Sequence, residues 1–149
     1  MRVRTTLVAM KRSPALVALS RDHHHALDTA RRLRRAGAGD LDAALAHLRA
    51  FWEPDGRRHF EIEEALLLPA LPDTDAAWRE AATRVRAEHD EIRARVESVS
   101  DEASAHELGR ALHDHVRFEE RELFALLEQR LPEAELARLG AAIDEAEHA

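Results

Sequence analysis

In His59-Phe60-Glu61-Ile62-Glu63-Glu64-Ala65-Leu66-Leu67-Leu68 an imidazole and a carboxylate stand four residues apart beside a run of leucines. The pattern returns in His115-Val116-Arg117-Phe118-Glu119-Glu120-Arg121-Glu122-Leu123-Phe124. On a helix, positions i and i+4 stack on one face about a turn apart, so each His/Glu pair can converge on one small object such as a metal ion. A single pair of this kind is commonly a solvated ion pair worth roughly 0.2–0.5 kcal/mol. These two pairs are flanked by Phe60, Ile62, Leu66 and Leu67 in one copy and by Val116, Phe118, Leu123 and Phe124 in the other, which puts both beside a core-facing stripe. Burying them unsatisfied would cost several kcal/mol, so the fold has to bring them partners.

The remaining composition narrows the fold class. A chain of 149 residues with 45% hydrophobic and 34% charged residues, rich in Ala, Leu, Arg and Glu, suits a single all-helical domain. Aromatic residues make up 4% with no Tyr, poor material for a β-sandwich. The net charge of −7 argues against a nucleic-acid partner. The runs Arg31-Arg32 and Arg34-Arg35 fall near an expected helix C-terminus, where cations favour the dipole. Without cysteine there are no disulfides, thiolate zinc sites or iron–sulfur clusters, and any metal falls to nitrogen and oxygen ligands. The short apolar patch from Leu7 to Met10, closed by Lys11-Arg12, is neither a signal segment nor a membrane span. The expectation is a cytoplasmic protein, without a membrane partner, with a flexible arm over 1–13 and one domain over 14–149.

Helical periodicity supplies four long elements. Ser13-Pro14 and Ser20 with Asp22 offer successive starts for helix 1, placed at about 20–36 and stopped by Gly37-Ala38-Gly39. Asp40 is the expected cap of helix 2, which runs to Pro69 with Pro54 and Gly56 kinking or briefly breaking it. Thr74 or Asp75 caps helix 3, which continues to about Ser100 on a thinner apolar stripe. Helix 4 extends from about Ala103 to Arg130, and Pro132 opens a short fifth helix with Leu136, Leu139 and Ile143. Short connections make this an up-down-up-down antiparallel four-helix bundle.

The halves repeat loosely. Asp22-His23 precedes His59 and Glu63, and Glu88-His89 precedes His115 and Glu119. His23 and His89 lie on apolar stripes, His23 between Leu19 and Leu27, His89 between Val85 and Ile92. A lone histidine there is usually a hydrogen-bonded core residue, whereas one on each of four helices, accompanied by two glutamates, makes a nitrogen- and oxygen-rich cage. Four imidazoles and two carboxylates are too many ligands for one tetrahedral zinc and suit two first-row ions bridged by carboxylates and solvent. Glu63 and Glu119 are the natural bridges and His23, His59, His89 and His115 the terminal ligands, with iron, manganese or zinc compatible. Asp22, Glu64, Glu88 and Glu120 are placed to orient those imidazoles.

These motifs as a set resemble the hemerythrin-like HHE cation-binding domain. The resemblance rests on Leu19 to His23, His59-x-x-x-Glu63-Glu64 with Leu67-Leu68-Pro69, Glu88-His89, and His115-x-x-x-Glu119-Glu120 with Leu123-Phe124, and it spans roughly 14–131. It implies a four-helix bundle holding a non-heme di-iron centre, with an oxo, hydroxo or water bridge, and O₂ binding, oxygen or redox sensing, or iron handling as roles. The ligands it implies are His23, His59, Glu63, His89, His115 and Glu119. The chain departs from the respiratory members at Arg93, where a further histidine would stand four after His89, and in His-x-x-x-Glu on helix 4 in place of His-x-x-x-x-Asp. Reversible O₂ carriage is therefore not the expected role. His24 is a minor candidate for a fifth nitrogen ligand, though a surface or orienting role suits His24 and His25 better.

His47, His106, His113 and His148 read as surface or orienting histidines, and Trp52 and Trp78 as core anchors. O₂, peroxide or a similar small ligand is the expected partner of a binding or sensing protein. An enzyme acting on peroxide or Fe²⁺ is the alternative, although no nucleophile or acid/base set stands apart from the ligands. A metal-free helical interaction module is the third reading.

Overall fold

A computed structural model describes residues 12–149, so most of the expected N-terminal arm lies outside the described residues. Arg12 and Ser13 are seated on the bundle. The Arg12 guanidinium and the Ser13 N–H both donate to Glu128, at 2.8 and 2.6 Å.

Ser13 accepts from the Ala15 N–H ahead of Pro14, opening a 3₁₀ turn (Pro14–Leu16) that leads into α1, Val17–Arg35. Of the two expected starts the chain uses the earlier, so the helix begins before residue 20. Ser20 is thereby freed for another contact, donating its hydroxyl to Glu120 at 2.7 Å. Helix α2 spans 41–70 and is continuous through Leu41–Phe51, a π turn at Trp52–Gly56, Arg57–Ile62, a second π turn at Glu63–Leu67 and a 3₁₀ turn at Leu68–Ala70. Asp40 does not cap it by a side-chain bond; its carboxylate accepts from the Gly37 N–H in the preceding turn. Pro54 does not break the helix. The Arg57 N–H reaches back to the Trp52 carbonyl, and this wider turn takes in the proline.

Helix α3, Ala76–Ser98, is capped by Asp75, which accepts from the Trp78 N–H and also holds Arg130. Helix α4 spans 102–130 as Glu102–Phe118, a π turn at Glu119–Leu123, and Phe124–Arg130. Asp101 and Ser104 form a reciprocal capping box at its start. Helix α5, Glu133–Glu147, follows Pro132 as the expected fifth helix. It buries Leu136 and Ile143, and its Glu147 carbonyl accepts from Arg58.

Helices α1 to α4 form the antiparallel bundle. Its core divides into two apolar clusters, one containing Leu19, Leu67, Val85, Leu123 and Phe124 and closed over by α5, the other containing Ala26, Phe60, Ile92, Leu112 and Val116. His23 falls between Leu19 and Ala26, and His89 between Val85 and Ile92, so the histidines form a polar layer between the clusters. Among the described residues no helix is long and apolar enough to cross a membrane.

Candidate metal centre

All six expected residues meet in that layer. His23, His59, Glu63, His89, His115 and Glu119 are buried, the two glutamates completely. Each helix delivers one imidazole because each histidine replaces one apolar position in an otherwise regular stripe. The two glutamates come from one turn further along α2 and α4, at the start of a π turn in each case. A π turn inserts one residue into the helix, so the apolar pairs Leu67-Leu68 and Leu123-Phe124 are buried four and five positions after the glutamate.

The side chains sort into two groups. His23 Nε2 lies 2.9 Å from Glu119 Oε1, and His59 Nε2 lies 2.9 Å from Glu63 Oε2. His89 Nε2 lies 3.1 Å from Glu63 Oε1, and His115 Nε2 lies 3.0 Å from Glu119 Oε2. Each carboxylate thus offers one oxygen to each group. In each group two imidazole nitrogens and two carboxylate oxygens lie within 4.8 Å of one another.

The outward nitrogens are all engaged. His23 Nδ1 donates to Glu120 at 2.6 Å, His59 Nδ1 to Asp22 at 3.0 Å, His89 Nδ1 to Glu64 at 2.7 Å and His115 Nδ1 to Glu88 at 2.8 Å. Every orienting acid is the chain neighbour of one cage residue and holds the histidine of another helix. With a proton fixed on Nδ1, neutral imidazole presents an unprotonated Nε2 inward, the form that ligates metals. Phe60 stacks on His89 with ring centroids 3.7 Å apart, and Phe124 stacks on His23 at 5.4 Å, which fixes the ring planes.

This donor set fits a cation. Both oxygens of Glu63, Glu119 Oε2, and Nε2 of His89 and His115 are buried without a hydrogen-bond partner, close to one another but poorly aligned for hydrogen bonds. His23 Nε2 and His59 Nε2 face each other at 3.1 Å. Lone pairs so placed repel unless a positive charge lies between them. In the absence of a metal, protons take that role. Burial pushes the His23 imidazolium down, but the carboxylates of Glu119, Glu120 and Glu63 around it outweigh this and raise His23 to about 10. His89, opposed by burial in the same way, is raised to about 9 by Glu119 and Glu63. Burial and the neighbouring Glu119 push Glu63 up, yet His59 and His23 overcome both and hold it at about 2. The environment therefore favours cations beside anions.

The structure also locates what periodicity leaves open. His24 and His25 are exposed and take no part in the cage. His47 lies at the surface beside Asp28, His106 donates to the Ala36 carbonyl, and His113 and His148 bond locally. Trp78 is a core anchor whose indole N–H donates to the Leu68 carbonyl. Trp52 is buried too, and it lines a cavity of about 10 Å³ beside His23, His59 and His115 with Phe51, Phe60, Leu112 and Val116.

Arg93, at the place of the absent fifth histidine, carries a function that the spacing does not reveal. Its guanidinium donates twice to Glu64, at 2.9 and 3.0 Å, and so pins the acid that orients His89. The Arg84–Glu88 contact at 2.8 Å does the same behind His115, and its i, i+4 spacing is a signal the sequence does contain.

The description "Hemerythrin HHE cation binding domain" belongs to a family whose model matches residues 15–127. Comparisons with curated proteins and with solved structures returned no match.

Proposed function

The chain belongs to the hemerythrin HHE cation-binding domain family, and on that premise we propose that it is a cytoplasmic protein holding two iron ions side by side, binding or sensing O₂ or a related oxidant, or handling iron. One observation carries the reading: two carboxylates each turn one oxygen toward each of two histidine pairs, while all four outward imidazole nitrogens are tied to acids. His23 and His59 would hold one ion and His89 and His115 the other, with Glu63 and Glu119 shared between them. The nitrogen and oxygen donors suit iron, with manganese or zinc as competitors.

Iron held by these residues would supply two accessible oxidation states. The chain's own residues set the terms of access. Asp22, Glu64, Glu88 and Glu120 hold the imidazole tautomers, and Phe60 and Phe124 exclude water from two ring faces. The cavity beside His23, His59 and His115 has largely apolar walls and a volume of about 10 Å³, room for no more than about one water, which excludes an organic substrate.

Protein expressed with iron and purified in air should contain about two iron atoms per chain by elemental analysis, as expected for a pair of shared carboxylates. It should also show an absorption band that changes on reduction. A colourless, metal-free product under those conditions would falsify the reading.

A further inference from the structure

The two halves of the cage have the same ligands but different surroundings. Behind His89 and His115 both orienting acids are matched by arginines, Glu64 by the double contact from Arg93 and Glu88 by Arg84. Behind His23 and His59 only one acid is matched. Arg12 reaches Glu120, 3.4 Å from its carboxylate and 2.7 Å from its carbonyl oxygen. Asp22, which holds His59, meets no arginine among the described residues. The Glu147 carboxyl at the end of α5 faces it instead. Arg58 on α2 donates to the Glu147 carbonyl oxygen at 2.9 Å.

We propose that the cage fills in a fixed order, the His23–His59 half taking the first divalent cation and the His89–His115 half the second, and that Arg84 and Arg93 set this order as positioning residues. The inference rests on the reading of the cage as a two-ion site. A carboxylate already shared with a guanidinium is a poorer acceptor for the imidazole N–H, and the imidazole becomes a poorer donor to metal at its far nitrogen. The outer partners of metal-ligating histidines govern affinity by about 10–100-fold, so a half with both acids matched by arginines is weaker than a half in which one acid has none. Charge acts in the same direction. Two arginines cancel two acids behind His89 and His115, whereas Asp22 in the other half meets no arginine among the described residues, which draws a dication.

The test uses full-length protein stripped with a chelator and then given one molar equivalent of Zn²⁺. Zinc anomalous scattering from crystals should place the ion between His23 and His59. Titration calorimetry should resolve two steps at least about tenfold apart. In Arg84→Gln and Arg93→Gln the gap between the steps should narrow, while Arg93→Lys, which keeps the charge, should retain it. Equal scattering in both halves, scattering first at His89 and His115, or a gap unmoved by both glutamine variants would overturn the proposal and leave the two-ion reading standing. No uptake of zinc or iron into the cage would overturn both. The crystallographic measurement is made on the unmodified chain, so a variant that folds poorly does not remove the test.

Discussion

Each cage histidine has one nitrogen turned outward to an acid and one turned inward to a carboxylate, and this division fixes the response to pH. His23 and His89 are raised to about 10 and about 9 from an ordinary 6.5. They contribute stability that is complete below about pH 6.5 and lost as the pH climbs through 9 to 10. Glu63, held at about 2 against an ordinary 4.5, contributes stability that is present above about pH 4.5 and lost as the pH falls toward 2. Chelator-treated protein should therefore melt highest between about pH 4.5 and 6.5 and progressively lower toward pH 10. Metal replaces the inward protons, so the alkaline decline should disappear in the loaded protein, and ion affinity should rise with pH as protons stop competing. Differential scanning calorimetry from pH 5 to 10, with and without metal, checks this; parallel curves would count against proton–metal exchange. At the same scale, Glu63→Gln removes an anionic oxygen from both groups at once. Uptake of both ions should weaken by at least about 100-fold in competition with a chelator, whereas a loss confined to one ion would contradict a shared carboxylate.

Among the elements, the interior depends on helices that approach closely and on π turns that keep two stripes in register. A Cβ at Gly109 on α4 would lie 2.7 Å from the Ala30 carbonyl oxygen and 2.9 Å from the Arg34 nitrogen on α1. Gly109→Ala should force the two helices apart and cost about 1–3 kcal/mol, seen as a melting temperature lower by a few degrees. Since α1 and α4 deliver His23 and His115, the same variant should bind metal more weakly. A variant that melts with the wild type would show that the helices slide without penalty. The four helices were legible because apolar periodicity is local, and the six cage residues because each interrupts a stripe. The π turns were harder to read, although the second copy holds their trace. Regular α spacing from Glu119 would bring Glu122 toward the core, yet Glu122 is exposed and Leu123 and Phe124 are buried. In the first copy Leu66 hides the same shift, being apolar but only half-buried while Leu67 and Leu68 are buried. The role of Arg93 was not legible, since it depends on α2 and α3 packing side by side.

Across the whole molecule the polar layer separates two apolar clusters that otherwise would form one continuous core. Four helices meet in that layer through like-charged oxygens and facing lone pairs, so it is the weakest level of the bundle unless positive charge is supplied. A pair of ions there would together contact side chains from all four helices, three helices to each ion, and has no comparable site in the unfolded chain, whose ligands are scattered from residue 23 to residue 119. Binding to the folded state alone stabilises it by about 2.7 kcal/mol when free ion is 100-fold above its dissociation constant. For a chain of this length that corresponds to a rise in melting temperature of about 5–11 °C. Addition of Fe²⁺ without air, or of Zn²⁺, should produce the rise, and a chelator should reverse it. In the Glu63→Gln, Glu119→Gln double variant the response should vanish, because both shared carboxylates have lost their charge while the two apolar clusters are untouched. The double variant loses the pairing between carboxylate and imidazole in the layer but is expected to fold, since its four imidazoles can stay neutral while bonded outward to Asp22, Glu64, Glu88 and Glu120. A double variant that still gains stability from metal would place the ion outside the cage, and an unmodified chain indifferent to both metal and chelator would mean that its apolar clusters hold the bundle without it.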